Sequence, residues 1–405
     1  MGASLKKKKV LLVTGVFPPG IGGMQSYYYH LCRSSKLDMT VLAPQYEGDA
    51  AFDAVPQSYK IIRGPFFRDE KINPGSWLSL LRYTWRTIRQ EKIEVTVYGY
   101  ILIGFIGWLF NLLFGKEYVI STHGKDMMEF RNIIGLRFLT KIILKRATGI
   151  LTNSEFTRKE VEKYGVDPHR IQLIYPGVED VYVPEDKDPA LVEKHGLAGK
   201  YVMMTVGRLV RRKGHDMVIR ALPEAVKQIP NLVYLIVGDG PKRDRLEQLA
   251  KECGVWDRVV FAGYVEGNDE AKKYYNLCDQ FIMTSRLLEN KGDVEGFGIV
   301  YLEAASCRKA VIAGNSGGVG EAVLHEETGL LVDPESASEI ASAIVRLYHN
   351  PQLRENLANR AYERAKKSFR YKRLGEQFDT YLANVSRMSV MPAEDIAALK
   401  ARLRL

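Results

Sequence analysis

Along this chain, short apolar runs that stop at glycine, proline or a small polar residue alternate with stretches whose apolar positions recur at helical spacing. The first run, residues 9–14 (KVLLVT), ends at the Gly/Pro-rich segment VFPPGIGGM; the helical pattern QSYYYHLCRSS follows, and then a second apolar run at 39–43. Strand, glycine loop, helix and strand in that order predict the opening unit of a parallel α/β sheet. Further strands are expected at 95–97, 118–122 and 149–152, with helices at 101–114 and 131–146. Residues 176–199 carry three prolines and many charges, which predicts a linker and a domain boundary near residue 180. Beyond it, strands at 201–206, 232–237, 259–261, 280–283 and 310–313 alternate with helices near 215, 244–253, 269–277 and 298–306. The expected fold class is α/β, two doubly wound Rossmann-like domains in series, 1–180 and 181–370. Segment 336–385 reads as mostly helical. Its end, within 371–405, is expected to pack back on the first domain, with the residues after about 386 peripheral.

The length of 405 residues is enough for two or three cores, and 46% hydrophobic with 26% charged residues is an ordinary globular composition. Charge is unevenly spread. Residues 1–150 hold 21 basic and 11 acidic residues and so carry the whole net charge of +10, whereas the remainder balances at 37 against 37. A basic half fits either a solvated surface or an anionic partner, a membrane leaflet or nucleic acid. Cys32, Cys253, Cys278 and Cys307 are widely spaced and form no C-x-x-C pair, which speaks against a disulfide framework or zinc site and fits a reducing compartment. The start MGASLKKKKVLLVTG has too short an apolar run for a signal peptide and lacks the Ser/Thr of a myristoylation pattern. Residues 100–114 are uncharged, but fifteen residues with internal glycines read as a buried or interfacial helix, since a span needs about twenty.

In open parallel sheets, ligands bind where strands end and helices begin, so polar and glycine clusters at those points are the candidate site, expected between the two domains. Gly20-Ile21-Gly22-Gly23 lets backbone N–H groups approach a phosphate, or simply makes a turn; it matches neither G-x-G-x-x-G nor a Walker loop. Gly207-Arg208 with Lys213-Gly214 places two cations five residues apart at a strand end, either to clamp a diphosphate or as surface charge. In Glu295-GFGIVYL-Glu303, preceded by Ser285-Arg286, one carboxylate lies ahead of a helix and the other inside it, and the helix N-terminus offers N–H groups to phosphate or sugar oxygens. Asp186-Lys187-Asp188 is formally D-x-D but lies in the linker, away from this cluster. His30 and His215 read as structural histidines.

The E-x7-E after SR and before LEA, with GRL-x3-KG and VGDGP upstream and SGG and TGLLVDP downstream, resembles the retaining glycosyltransferases of family 4 over about residues 9–385. The segment GDVEGFGIVYLEAASC is similar to bacterial α-mannosyltransferases of the phosphatidyl-myo-inositol mannoside type. The resemblance implies the GT-B fold, two domains facing across a cleft, the first for the acceptor and the second for a nucleotide sugar. It implies that Arg208 and Lys213 hold the donor diphosphate and stabilise its developing charge, and that Glu303 binds the ribose hydroxyls. Glu295 would contact the transferred sugar, with N–H groups of Phe297 and Gly298 on its hydroxyls and those of Ile299 and Val300 near phosphate. His123, in STHGKD, would approach the sugar, Gly22 and Gly23 would border the phosphates and acceptor, and Gly207 would line the donor loop. Gly263, Tyr264 and Val265 would sit by the base. No metal or other cofactor is required on this reading. Attack from the front face, with the leaving phosphate oxygen taking the acceptor's proton, gives Glu295 a positioning and electrostatic role rather than a nucleophilic one.

Arg82, Arg86 and Arg89 fall on one helical stripe, and Arg137, Lys141 and Lys145 on another, with Leu78, Leu81, Trp85, Phe130 and Ile134 nearby; Lys6 to Lys9 add to this charge. Basic helices interleaved with apolar residues suit an anionic membrane surface. The expected function is transfer of a hexose, mannose from GDP-mannose, to a lipid-linked or glycan acceptor by a cytoplasmic enzyme at the inner face of the cell membrane. The alternatives are a UDP-sugar donor carrying GlcNAc or glucose, a GT-B protein that binds nucleotide without catalysis, and a basic nucleic-acid-binding protein. The last lacks any recognised module in this sequence.

Overall fold

In the computed structural model, residues 7–67, 73–129, 131–388, 391 and 393–403 are described. They form two units, one of the described residues up to Pro176 together with those from Tyr371 onward, the other Gly177–Arg370. The first contains a parallel sheet of β1 (Lys9–Val13), β2 (Asp38–Pro44), β3 (Lys60–Gly64), β4 (Val95–Tyr98), β5 (Tyr118–Thr122), β6 (Gly149–Thr152) and β7 (Ile171–Leu173), in the order β3-β2-β1-β4-β5-β6-β7. Strand β1 shows why the apolar runs are unbroken. Val10 and Leu12 face one core, with Tyr27 and Phe378, while Leu11 and Val13 face the other, with Leu80 and Phe110. A parallel sheet covered on both faces needs apolar side chains at every position.

The second unit contains β8 (Tyr201–Val206), β9 (Leu232–Val237), β10 (Val259–Gly263), β11 (Gln280–Met283), β12 (Ala310–Gly314) and β13 (Leu330–Val332), in the order β10-β9-β8-β11-β12-β13. In each sheet the strand order reverses beside the first strand, at β1/β4 and at β8/β11, and the crevice outside such a switch point is where ligands bind.

Two segments differ from their expected character. Residues 177–199 belong to the second unit rather than forming a free linker. Asn276 Oδ1 accepts from Glu185 N (2.9 Å), Lys187 pairs with Asp279 (2.8 Å), and Asp188 caps the helix Pro189–Lys194, accepting from Ala190 N at 2.9 Å. The D-x-D is thus tied to the frame through its lysine and its second aspartate. The division falls at 176/177. The residues after 386 are not peripheral: in the helix Ala393–Leu403, Ile396 is buried and Lys400 donates to Ile171 O on the edge strand β7 (2.7 Å). The helix Tyr371–Met388 buries Leu374, Phe378, Tyr381, Leu382 and Val385, each contributing about 1.5–3 kcal/mol. It lies against the helix Gly23–Ser34, with Asp379 accepting from Ser35 Oγ and Lys36 N.

Candidate active site

In the second unit, charge gathers where the neighbouring strands β8 and β11 end. Residues 207–214 leave β8 as a loop that includes the turn Arg211–Lys213, and Thr284-Ser285-Arg286 leaves β11. Glu295 reaches both. Its Oε2 accepts from Arg212 Nη1 (2.5 Å), Lys213 Nζ (2.7 Å) and Ser285 Oγ (3.2 Å), and Arg212 Nε donates to Asp293 Oδ1 (3.0 Å). Burial pushes the Glu295 carboxyl up, but the Arg212 and Lys213 charges outweigh it and hold the group at about 2. Burial lowers Lys213 despite Glu295 beside it, whereas for Arg212 the pull of Glu295 and Asp293 exceeds the effect of burial and raises it.

Arg212 and Lys213 against Asp293 and Glu295 make a neutral group. Arg208 is exposed, and its side chain makes no hydrogen bond or ion pair among the described residues, which leaves it available to an anion. Arg286 is buried and acts as a strut, donating from Nη2 to both oxygens of Asp216 at 2.8 Å.

The helix Ile299–Ser306 starts beside this cluster. Gly298 stands at its N-cap with φ +94°, where an added Cβ would lie 2.4 Å from the Tyr301 ring, so glycine is required there. No side chain caps the helix, and the first N–H groups, at Ile299 and Val300, are left to solvent or ligand. The Phe297 side chain is buried against Phe369, which leaves only its backbone for a ligand. On the same helix, Glu303 Oε2 accepts from Tyr275 OH at 2.6 Å. Burial pushes this carboxyl up to about 7 against that hydrogen bond, so the two acids of E-x7-E differ widely in charge state. Gly263 closes β10, Tyr264 is exposed, and Val265 follows at half burial.

The first unit has its own cluster at the switch point. His123 follows β5, with its N–H donating to Asp126 Oδ1 (2.9 Å). Its Nε2 lies 2.5 Å from Tyr28 OH, which also meets Gly99 O at 2.8 Å beyond the end of β4. Burial lowers His123 to about 3, leaving a neutral imidazole, and raises Asp126 to about 7. Gly22 and Gly23 open the helix Gly23–Ser34 and are exposed, next to the exposed Ile21.

On another face of this unit, Arg82, Arg86 and Arg89 are exposed along the helix Pro74–Gln90, and Arg137, Lys141 and Lys145 along the helix Ile134–Arg146. Between them runs the helix Gly104–Phe114, whose Phe114 stacks on Trp85 (4.2 Å). Leu78, Ile133, Ile134 and Phe138 are exposed among these cations, Ile134 at 87%. Lys6 and Phe130 lie outside the described residues. Among the described residues no helix is long and apolar enough to cross a membrane. His30 stacks on Tyr371 (4.5 Å) and His215 is buried with Tyr234, both as structural groups.

The sequence reading missed Arg212, Asp293 and Tyr275 around the two glutamates, and Tyr28 and Asp126 around His123. The run Arg211-Arg212-Lys213 held a signal for the first, since a single turn can present only some of three consecutive cations to one carboxylate. Tyr28, inside YYY, looked like core.

Two family profiles match in tandem: "Glycosyltransferase Family 4" over residues 21–181 and "Glycosyl transferases group 1" over 188–364. The chain is 34% identical to a GDP-mannose-dependent alpha-(1-6)-phosphatidylinositol monomannoside mannosyltransferase of Mycobacterium tuberculosis, over 84% of this chain and 89% of that one. It is 29% identical to a monoacylated-substrate counterpart from Corynebacterium glutamicum, over 94% and 99%. Among solved structures, Anabaena HepE in complex with UDP superposes with a TM-score of 0.77 at 20% identity, covering 93% of this chain and 100% of that one. Sucrose-phosphate synthase from Thermosynechococcus elongatus does so with 0.77 at 21%, covering 94% and 99%. The chain belongs to glycosyltransferase family 4, and is a glycosyltransferase with the GT-B fold.

Proposed function

We propose that this enzyme transfers mannose from GDP-mannose, with retention of configuration and without a metal, to a lipid-linked or glycan acceptor at the inner face of the cell membrane. One observation carries the reading. A fixed carboxylate, two partly buried cations and an uncapped helix N-terminus meet at the ends of β8 and β11, in a chain 34% identical to a GDP-mannose-dependent enzyme.

As the bond between the anomeric carbon and the diphosphate breaks, negative charge grows on the leaving oxygens. Arg208, Lys213 and the N–H groups of Ile299 and Val300 are suited to receive it, and the Glu295 carboxylate faces the positive charge left on the sugar. The leaving oxygen takes the acceptor's proton, so no side chain need act as base. Glu303 takes the ribose hydroxyls, and neutral His123 a sugar hydroxyl.

The test is calorimetric titration with GDP, UDP and ADP, with and without Mg²⁺, followed by GDP-mannose with phosphatidylinositol monomannoside. Binding of GDP alone and transfer without Mg²⁺ are expected; preference for UDP overturns the donor assignment.

Glu303 sets a pH dependence. Raised from 4.5 to about 7, the carboxyl is protonated in the free protein below neutrality, and its contribution to stability, complete below pH 4.5, is lost as pH rises through 7. A carboxylate accepts both ribose hydroxyls and an acid does not, so GDP affinity should rise between pH 6 and 8. Glu303→Gln should flatten that rise, and a profile unchanged by the substitution would place the ribose elsewhere.

The exposed apolar and basic face of the first unit is assigned to the membrane. At about 1 kcal/mol per cation, Arg137→Ala with Lys141→Ala should weaken binding to phosphatidylserine-containing vesicles roughly thirtyfold and reduce its salt dependence. Equal partitioning of variant and parent in a flotation assay would remove this face from the membrane.

A further inference from the structure

Tyr28, Gly99 and His123 form a hydrogen-bonded chain whose protons can be counted, with the Ser121 hydroxyl standing on the donor side of the Tyr28 oxygen. The phenol oxygen of Tyr28 lies 2.8 Å from the Gly99 carbonyl oxygen and 2.5 Å from His123 Nε2. The carbonyl can only accept, so the single phenol proton is directed to it. The phenol oxygen is then an acceptor for the imidazole, and Nε2 must carry the ring proton. The opposite assignment would place two lone pairs against each other across 2.8 Å at Gly99. This contact exists because residue 99 is glycine: an added Cβ would lie 2.9 Å from the phenol oxygen.

The ring is held on other sides as well. Tyr27 and Tyr28 both meet it edge-on at 5.2 Å, and the His123 backbone is tied to Asp126. Tyr27, Tyr28 and His123 are all buried, and His123 Nδ1 makes no hydrogen bond among the described residues.

We infer that Tyr28 is a positioning residue that fixes His123 as the neutral Nε2–H tautomer, presenting Nδ1 as a bare acceptor to a ligand hydroxyl. The inference rests on the proposed reading that His123 meets the sugar, and it specifies what His123 can read there. A bare nitrogen accepts from a sugar O–H and is repelled by a phosphate oxygen, so the residue selects hydroxyl over phosphate. Tyr28 touches neither substrate nor reacting atoms on this account and acts through the imidazole.

The test is a long-range ¹H–¹⁵N correlation spectrum of the ¹⁵N-labelled full chain without ligand, with the His123 ring assigned by its loss in His123→Gln. The expected pattern is a protonated Nε2 and an unprotonated Nδ1, unchanged between pH 5 and pH 8. A protonated Nδ1 or an imidazolium at neutral pH overturns the inference, and this measurement on the parent protein needs no variant to fold beyond the one used for assignment. In Tyr28→Phe, which keeps the ring packing, His123 should show mixed tautomers. Its kcat should fall about tenfold, the worth of one neutral hydrogen bond, with GDP affinity unchanged. A parent-like His123 spectrum in Tyr28→Phe would remove Tyr28 from the role. Failure of every protein, parent included, to use GDP-mannose would count against the proposed function and leave the tautomer result standing.

Discussion

Glu295→Gln is expected to lower kcat by about two to three orders of magnitude, to destabilise the free protein, and to tighten GDP binding. The amide matches the carboxylate in size and still accepts one hydrogen bond, so packing is preserved and the change is one of charge. Arg212 and Lys213, whose side chains are 19% and 12% exposed, would then face a neutral group. Removing one partner of a buried pair costs about 3–5 kcal/mol. Partial exposure and the remaining Arg212–Asp293 pair put the expected loss near the lower end, about 3 kcal/mol.

The sign with respect to pH follows from the depressed carboxyl. A group held at about 2 in the folded protein contributes stability that is present above its ordinary 4.5 and is lost as pH falls toward 2. That contribution should be missing from Glu295→Gln, whose melting temperature should therefore depend less on pH in the acid range. A diphosphate brings negative charge to Lys213, freed of its carboxylate in the variant, so GDP should raise the melting temperature of the variant more than that of the parent. Two results would count against the account: parent-like turnover would remove the carboxylate from the chemistry, and equal stabilisation by GDP would mean that Lys213 does not meet the diphosphate.

Much of the frame was legible because strands covered on both faces read as uninterrupted apolar runs, as at β1, β8 and β9. The strands that went unread, β3, β7 and β13, are five, three and three residues long and sit at sheet edges, where KIIRG and IQL mix polar with apolar positions. Proline and charge made 176–199 look like a linker. What fastens it is Asn276 and Asp279, roughly ninety residues later, and no local pattern encodes a partner that distant.

The same division holds at the candidate site. Glycines and charges at strand ends drew attention to Glu295 and Lys213, because such residues are costly at those positions unless they do something. Which of Arg208, Arg211 and Arg212 turns toward Glu295 depends on a single turn of 3₁₀ geometry, and the structure selects Arg212 and leaves Arg208 outside. Tyr28 was hidden for another reason. A buried tyrosine in YYY has the periodicity of core, and its hydroxyl gains meaning only when β4 and β5 bring Gly99 and His123 beside it.

Arg208→Ala and Lys213→Met should each lose about 2–4 kcal/mol of transition-state stabilisation, roughly 10²–10³ in kcat/KM, the magnitude of one donor aimed at a developing oxyanion. The two differ in what else they disturb. Arg208 is exposed and unpaired among the described residues, so its removal should change stability by less than about 0.5 kcal/mol, and its whole effect should appear in catalysis and GDP affinity. Lys213 is partly buried against Glu295; methionine keeps the aliphatic stem but leaves the carboxylate to Arg212 and Ser285. Destabilisation of about 1–3 kcal/mol should accompany the kinetic loss, and the Glu295 carboxyl should titrate higher than about 2. Because both cations act on one diphosphate, the double variant should be less impaired than the product of the single losses, whereas cations serving unrelated sites would give a simple product. Steady-state kinetics on the four proteins, with melts beside them, separates these cases. Parent-like turnover in both single variants would sink the assignment of the diphosphate to this end of β8.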